Sequence, residues 1–171
     1  LNQFVKGPVY VDFNSSDGNG RKVVADLTKA SILLDFAGWS KGPGVPAAAT
    51  FTMKNDGERT SLSDFELSGE SFSVRGDVSV DKAGLIQADL PTVRLVRGDK
   101  ANARISRTKG GYSVKVAGDA LDVRALLKKV TGSFDAAAKA VGTTAISVDA
   151  SINQVTGFNS EVLGDLKMSY A

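Results

Sequence analysis

FSVRGDVSVD, residues 72–81, alternates in lockstep: Phe72, Val74, Val78 and Val80 take one parity with Gly76 between them, and Ser73, Arg75, Asp77, Ser79 and Asp81 the other. A strand sends successive side chains to opposite faces, so this stretch predicts a sheet with one apolar and one wetted side. The same period returns in Val9–Val11–Phe13, Val23–Ala25–Leu27, Ile32–Leu34–Phe36, Tyr112–Val114–Val116 and Ile146–Val148–Ala150–Ile152. Such repetition predicts a mostly β chain: a large twisted antiparallel meander with one greasy face.

Turn signals divide the pattern. Gly7-Pro8 marks a bulge or edge feature in a first strand over about 4–14, and SSDGNG (15–20) reads as a tight turn. Strands are expected near 21–27 and 30–36, followed by a Gly/Pro loop, GWSKGPGVP (38–46), carrying the sole Trp. Further strands fit 48–54, 63–69, 71–81, 85–90, 92–97, 102–108 and 112–118. One short capping helix is expected at 122–130. Asp122 suits its N-cap, Val123, Leu126, Leu127 and Val130 form its apolar stripe, and Gly132 stops it. The organisation expected is a β groove segment over 1–130, an Ala/Gly-rich linker over 131–144, and the truncated opening of a following β segment over 145–171.

Composition narrows the chemistry. With 42% hydrophobic and 23% charged residues, the chain has the make-up of a folded domain. It contains neither Cys nor His. No disulfide, thiol nucleophile, Ser-His-Asp triad or His/Cys zinc site can therefore be assembled. The usual general base near neutral pH is missing as well, so no catalytic, metal or cofactor site is assigned. The chain opens on Leu1 and has no run approaching the roughly 20 apolar residues of a membrane helix, so any anchor is expected outside it.

A half-apolar sheet must pack on a second sheet, close on itself, be covered by helices, or hold a ligand. One short helix cannot cover ten strands. Self-closure and an open trough suited to acyl chains both satisfy the pattern.

Five stretches then form an ordered series: GPVYV (7–11), ADLTKASILLDFAGWSKGPGVPA (25–47), FELSGESFSVRGDV (65–78), VRLVRGDKANARISR (93–107) and GGYSVKVAGDALDVRALLKK (110–129). The series resembles the YhdP-type domain of the AsmA-like superfamily that precedes the AsmA-like C-terminal region. Its most specific pieces are DLT-x-A followed by GW-x-K-x-PG-x-PA, and the late G-x-x-LD-x-R-x-LL; INQVTGFNSEVLGDLKMSY (152–170) resembles the start of the next segment. The resemblance implies a bridge-like lipid-transfer protein: a periplasmic sheet curled into an open hydrophobic groove and tethered to the inner membrane by a segment outside this chain. Such proteins carry phospholipid towards the outer membrane, support envelope integrity, and have no catalytic residues attributed to them.

Parity then assigns Phe72, Val74, Val78, Val80, Val114, Val116, Ile146 and Val148 to the groove lining. Trp39 is expected either as an aromatic plug at one end of the sheet or, with Lys41 meeting a phosphate, at the groove mouth. The basic run Arg94, Arg97, Lys100, Arg104, Arg107 and Lys109 reads as a solvated strand face or an attraction to anionic lipid. Nucleic acid is not expected as a partner, since Tyr112 is the only aromatic near that run. Arg97-Gly98-Asp99 is a turn rather than an adhesion motif, and Asp12, Asp17 and Asn19 are turn formers. Asp77, Asp81 and Asp89 would need a shared cleft to act as acid and base. The competing reading is a self-packed structural or adhesive β-module of a cell-surface protein.

Overall fold

The computed structural model describes residues 4–15, 20–34, 37–125, 127 and 145–170. Its strands are β1 (Val5–Lys6), β2 (Tyr10–Ser15), β3 (Arg21–Asp26), β4 (Ser31–Leu34), β5 (Trp39–Lys41), β6 (Ala47–Asp56), β7 (Arg59–Gly69), β8 (Ser73–Asp81), β9 (Gly84–Arg94), β10 (Lys100–Arg107), β11 (Gly111–Asp122), β12 (Ala145–Thr156) and β13 (Val162–Tyr170). Ten of them form one sheet in the order β13-β12-β11-β10-β9-β8-β7-β6-β3-β2, and β1-β4-β5 form a second, three-stranded sheet. The large sheet is an open, curled meander and does not close into a barrel.

All its pairs are antiparallel except β11 and β12, which run in parallel from Gly111 opposite Ala145 to Asp122 opposite Thr156. Residues 145–170, expected to open a following segment, instead extend this same sheet through β12 and β13. The linker expected at 131–144 lies outside the described residues.

Three expectations are corrected by local chemistry. The first strand divides at Gly7, whose φ is +106°, so β1 joins the small sheet and β2 the large one. Within the Gly/Pro loop, residues 39–41 pair with β4, placing Trp39 opposite Leu34. The strands expected at 85–90 and 92–97 are one strand, β9, that runs through Pro91. Pro91 is tolerated because it sits in a bulge: Ala101 and Ala103 of β10 pair with Val93 and Leu90 of β9, and a bulge asks no ladder N–H of its extra residue.

The bulge has a counterpart in β8. Gly76, at φ +150°, lies so close to the Asp89 carbonyl and the Leu90 Cα that a side chain would have no room. Register irregularities occur at β6–β7, β7–β8, β8–β9, β9–β10 and β10–β11. The ladders β2–β3–β6 and β11–β12–β13 run without one. Bulges bend a sheet and add twist, so the curl is concentrated in the five central seams.

The main core gathers Ala25, Leu27, Ile32, Ala47, Ala49 and Phe72, with Val5, Leu34, Trp39 and Leu67 packed against it. The small sheet thus covers the apolar face at the end of β3 and β7 and the start of β6 and β8. At the foot of β11, residues 124, 125 and 127 are helical. Asp122 Oδ1 accepts from the Arg124 N–H at 3.0 Å, but the carbonyl that takes the first helical bond, from Leu127, is that of Val123, so the N-cap falls one residue beyond the one expected. The remainder of the helix expected to reach residue 130 lies outside the described residues.

Candidate functional site

Register turns the sequence alternation into rows that cross the sheet. Val11, Ala25, Ala49, Leu67, Val74, Val93, Ala101, Gly118, Ile152 and Leu166 stand opposite one another through all ten strands. With strands about 4.8 Å apart, this row runs roughly 43 Å without a polar side chain. A second row, Leu62, Val78, Ala88, Ile105, Val114, Val148 and Tyr170, crosses from β7 to β13. Between them lies a third, Leu90, Ala103, Val116, Ala150 and Met168.

Val74, Val78, Val80, Val114, Val116, Ile146 and Val148 therefore share one face, as parity requires. Their coverage differs. Phe72 and Val74 are 2% and 8% exposed, whereas Ile146 is 42% exposed. Val78, Val80, Val114, Val116 and Val148 are half-buried. The face is closed where the small sheet lies on it and also at Ala88, Ala101 and Ile152, and is more open towards Ile146 at the β10–β11 hairpin end.

Trp39 belongs to the closed end. Its ring meets Phe72 edge-on with centroids 4.9 Å apart, which is the plug arrangement. Lys41 is only 3% exposed. Its Nζ donates to the carbonyls of Leu27 and Ala30 at 2.5 Å each and of Thr28 at 3.3 Å. All three ammonium protons are thus engaged inside the protein, and none is left for a phosphate. Burial pushes the Lys41 ammonium below its ordinary value, opposed by the nearby Asp26 carboxylate. The groove-mouth role expected for Lys41 gives way to a structural one: it ties down the turn between β3 and β4.

The opposite face is polar in equally long rows. Ser61, Ser79, Gln87, Ser106, Ser113 and Ser147 form one. Asp77, Asp89, Arg104, Lys115, Asp149 and Ser169 form another. An open cleft of about 690 Å³ is lined by members of this polar row, Asp89, Arg104, Lys115, Asp149 and Ser169, together with Val116, Ala117, Ala150 and Met168.

The basic run does not form one patch. Arg104 is held by Asp89 at 2.7 Å and Arg107 by Asp81 at 2.8 Å. Lys100 and Arg107 lie at opposite ends of β10. The carboxylates singled out in the sequence are engaged too: Asp77 accepts from the Asp64 N–H at 3.0 Å, and Asp81 and Asp89 bind those arginines. No group of three or more acidic side chains able to hold a metal ion occurs among the described residues.

Asp99 is the residue that composition and motif could not place. It is 4% exposed, and its carboxylate accepts from the backbone N–H of Leu95, Val96 and Asp122 at 3.0, 2.9 and 2.9 Å. It knots the 95–99 turn to the end of β11. Arg97-Gly98-Asp99 consequently cannot present its carboxylate to a receptor.

Comparison with family models, curated proteins and solved structures finds no match for the chain. The likeness to the AsmA-like superfamily stands on the quoted motifs alone.

Proposed function

We propose that this chain is a non-enzymatic, lipid-handling segment of an AsmA-like envelope protein, its apolar face receiving the acyl chains of phospholipid in the periplasm. The supporting observation is the apolar row that crosses all ten strands, flanked over β9–β13 by two more. Acyl chains need apolar area with few directed polar partners, and the central valines of this face are only half covered by protein. Soluble monomers rarely leave apolar patches larger than a few hundred Å² to water. The three-stranded sheet shields one end of the face and leaves the hairpin end for an occupant.

The competing self-packed module has its own support in the Phe72–Trp39 cluster, which is closed without any ligand. Native mass spectrometry of protein purified without detergent separates the two. Phospholipid adducts are expected. A stable, lipid-free monomer that takes up no lipid from vesicles overturns the transport reading and leaves the structural module.

A further inference from the structure

We propose that the turn between β9 and β10 is a phosphate-binding site, in which Arg94, Arg97 and Lys100 hold the oxygens of a phosphate group. The inference does not rest on the lipid reading, because it concerns the polar side of the sheet.

The turn brings like charges together. Arg94 ends β9 and Lys100 begins β10, one step beyond the Val93–Ala101 pair. Alternation turns both side chains to the polar face, and like charges facing each other across antiparallel strands repel. Arg97 lies between them in the chain and is exposed, as is Lys100. Other arginines of the sheet are paired: Arg75 with Glu66, Arg104 with Asp89 and Arg107 with Asp81. None of the turn's three cations holds a carboxylate among the described residues.

The one acid within the turn is committed elsewhere. Asp99 points inward, its carboxylate on the amides of Leu95, Val96 and Asp122. On the next strand, Asp119 accepts from Asn153 Nδ2 at 3.0 Å. Three cations against Asp99 leave the 94–100 segment at net +2. The Asp99 bonds also fix the backbone that carries those cations, so it is already ordered when an anion arrives.

Arg94 supplies a second, independent sign. It is half-buried, and its Nε is the one buried side-chain polar atom among the described residues without a hydrogen-bond partner. A charged donor left unmade in a sheltered place destabilises the empty protein. A small rotation of the guanidinium onto an anion's oxygen satisfies it. A phosphate presents more oxygens than a carboxylate, and so suits the planar fork of Arg94 with two further cationic donors beside it. Ser73, opposite Arg94 in β8, adds a hydroxyl. The space beside Gly98 is open, which leaves room for the ligand.

Nuclear magnetic resonance titration of the isotope-labelled protein with inorganic phosphate tests the site. The Arg94 Nε–H resonance and the amides of Arg97, Gly98 and Lys100 should shift saturably, and sodium chloride at matched ionic strength should not reproduce the shift. Affinity should fall about tenfold in Arg94→Gln and about threefold in Arg97→Gln and Lys100→Gln. It should not change in Lys54→Gln, which removes an exposed cation of β6. Arg97 and Lys100 are exposed, so their variants carry the test even where Arg94→Gln folds poorly. Co-sedimentation with vesicles of phosphatidylcholine and phosphatidylglycerol, lost in the same variants, assigns the phosphate to a lipid headgroup. Inorganic phosphate binding without co-sedimentation assigns it to a soluble phosphate ester. No saturable shift overturns the proposal. So does a shift that chloride reproduces, or a binding that Lys54→Gln weakens as much as the three turn variants do.

Discussion

Trp39 stands edge-on to Phe72, ring planes inclined at 67° and centroids 4.9 Å apart. The contact joins the small sheet to the large one, because Trp39 lies on β5 and Phe72 immediately precedes β8. Truncating Phe72 to Ala removes a side chain that is 2% exposed from a site walled by two sheets. The expected loss is about 3–5 kcal/mol of unfolding free energy, read by urea denaturation followed by circular dichroism. The sole tryptophan should also shift its emission to the red. An unchanged midpoint would mean that the two sheets are not held together here.

Lys41 offers a second test. Replacing it with Met keeps the stem but takes the Lys41 donor from the Ala30 carbonyl, while the Leu27 carbonyl keeps its bond from the Ala30 N–H at 3.1 Å. A buried acceptor left unsatisfied costs about 1–3 kcal/mol. The melting temperature should fall for Lys41→Met and fall further for Lys41→Glu, which sets a carboxylate against carbonyl oxygens. Lipid content per folded molecule should not change, because the ammonium faces inwards.

On the apolar face, Val114→Asp places a charge in the middle of the second row, while Lys115→Glu alters its neighbour on the polar side. Phospholipid co-purification should drop about tenfold for the first, since a carboxylate does not share a site with hydrocarbon. It should persist for the second. Equal loss in both would move the lipid site to the charged cleft or away from the sheet altogether.

Acid should destabilise the protein through its paired carboxyls. Arg107 beside Asp81 and Arg124 beside Asp122 hold those carboxyls below their ordinary value of 3.8. The unfolded chain therefore takes up protons first as the pH falls. The stability these pairs contribute is complete above about pH 5, and is lost as the pH drops below 3.8 and through the native values. Asp81→Asn should flatten the acid limb of a melting-temperature profile while lowering its neutral plateau. A limb of unchanged steepness would assign acid sensitivity to other groups.

Gly76→Ala should be among the most damaging single-methyl changes. The new Cβ would meet the Asp89 carbonyl and the Leu90 Cα on the adjoining strand. Backbone atoms held in two ladders cannot step aside cheaply, so poor soluble yield or a strongly lowered melting temperature is expected. Gly57→Ala, with open space around the position, tests only the cost of a left-handed φ.

Alternation made most of this sheet legible from residues alone. β3, β6, β8, β10 and β11 fall within a few residues of where their parity places them, because one buried face punishes any slip. Pro91 misled for a physical reason. It was a break by local chemistry, but a bulge spares it the ladder bond, and only the neighbouring strands reveal the bulge. Residues 39–41 were hidden by the glycines and prolines around them, and their strand character comes from pairing with β4. Lys41 and Asp99 were unreadable as core residues, since charge predicts exposure. What they hold are backbone carbonyls and amides, which every sequence position supplies and none advertises.

The five irregular seams between β6 and β11 have a practical corollary. Each seam absorbs an irregularity that keeps the oily and salty sides in step, as at Pro91, where Leu90 and Val93 both lie in apolar rows although three residues apart, so deleting Pro91 would straighten the strand and leave both sides where they are. Engineers wishing to widen or narrow the bow of this ribbon should therefore add or remove the single extra residue of a bulge, since a one-residue change in a regular stretch would turn that strand inside out.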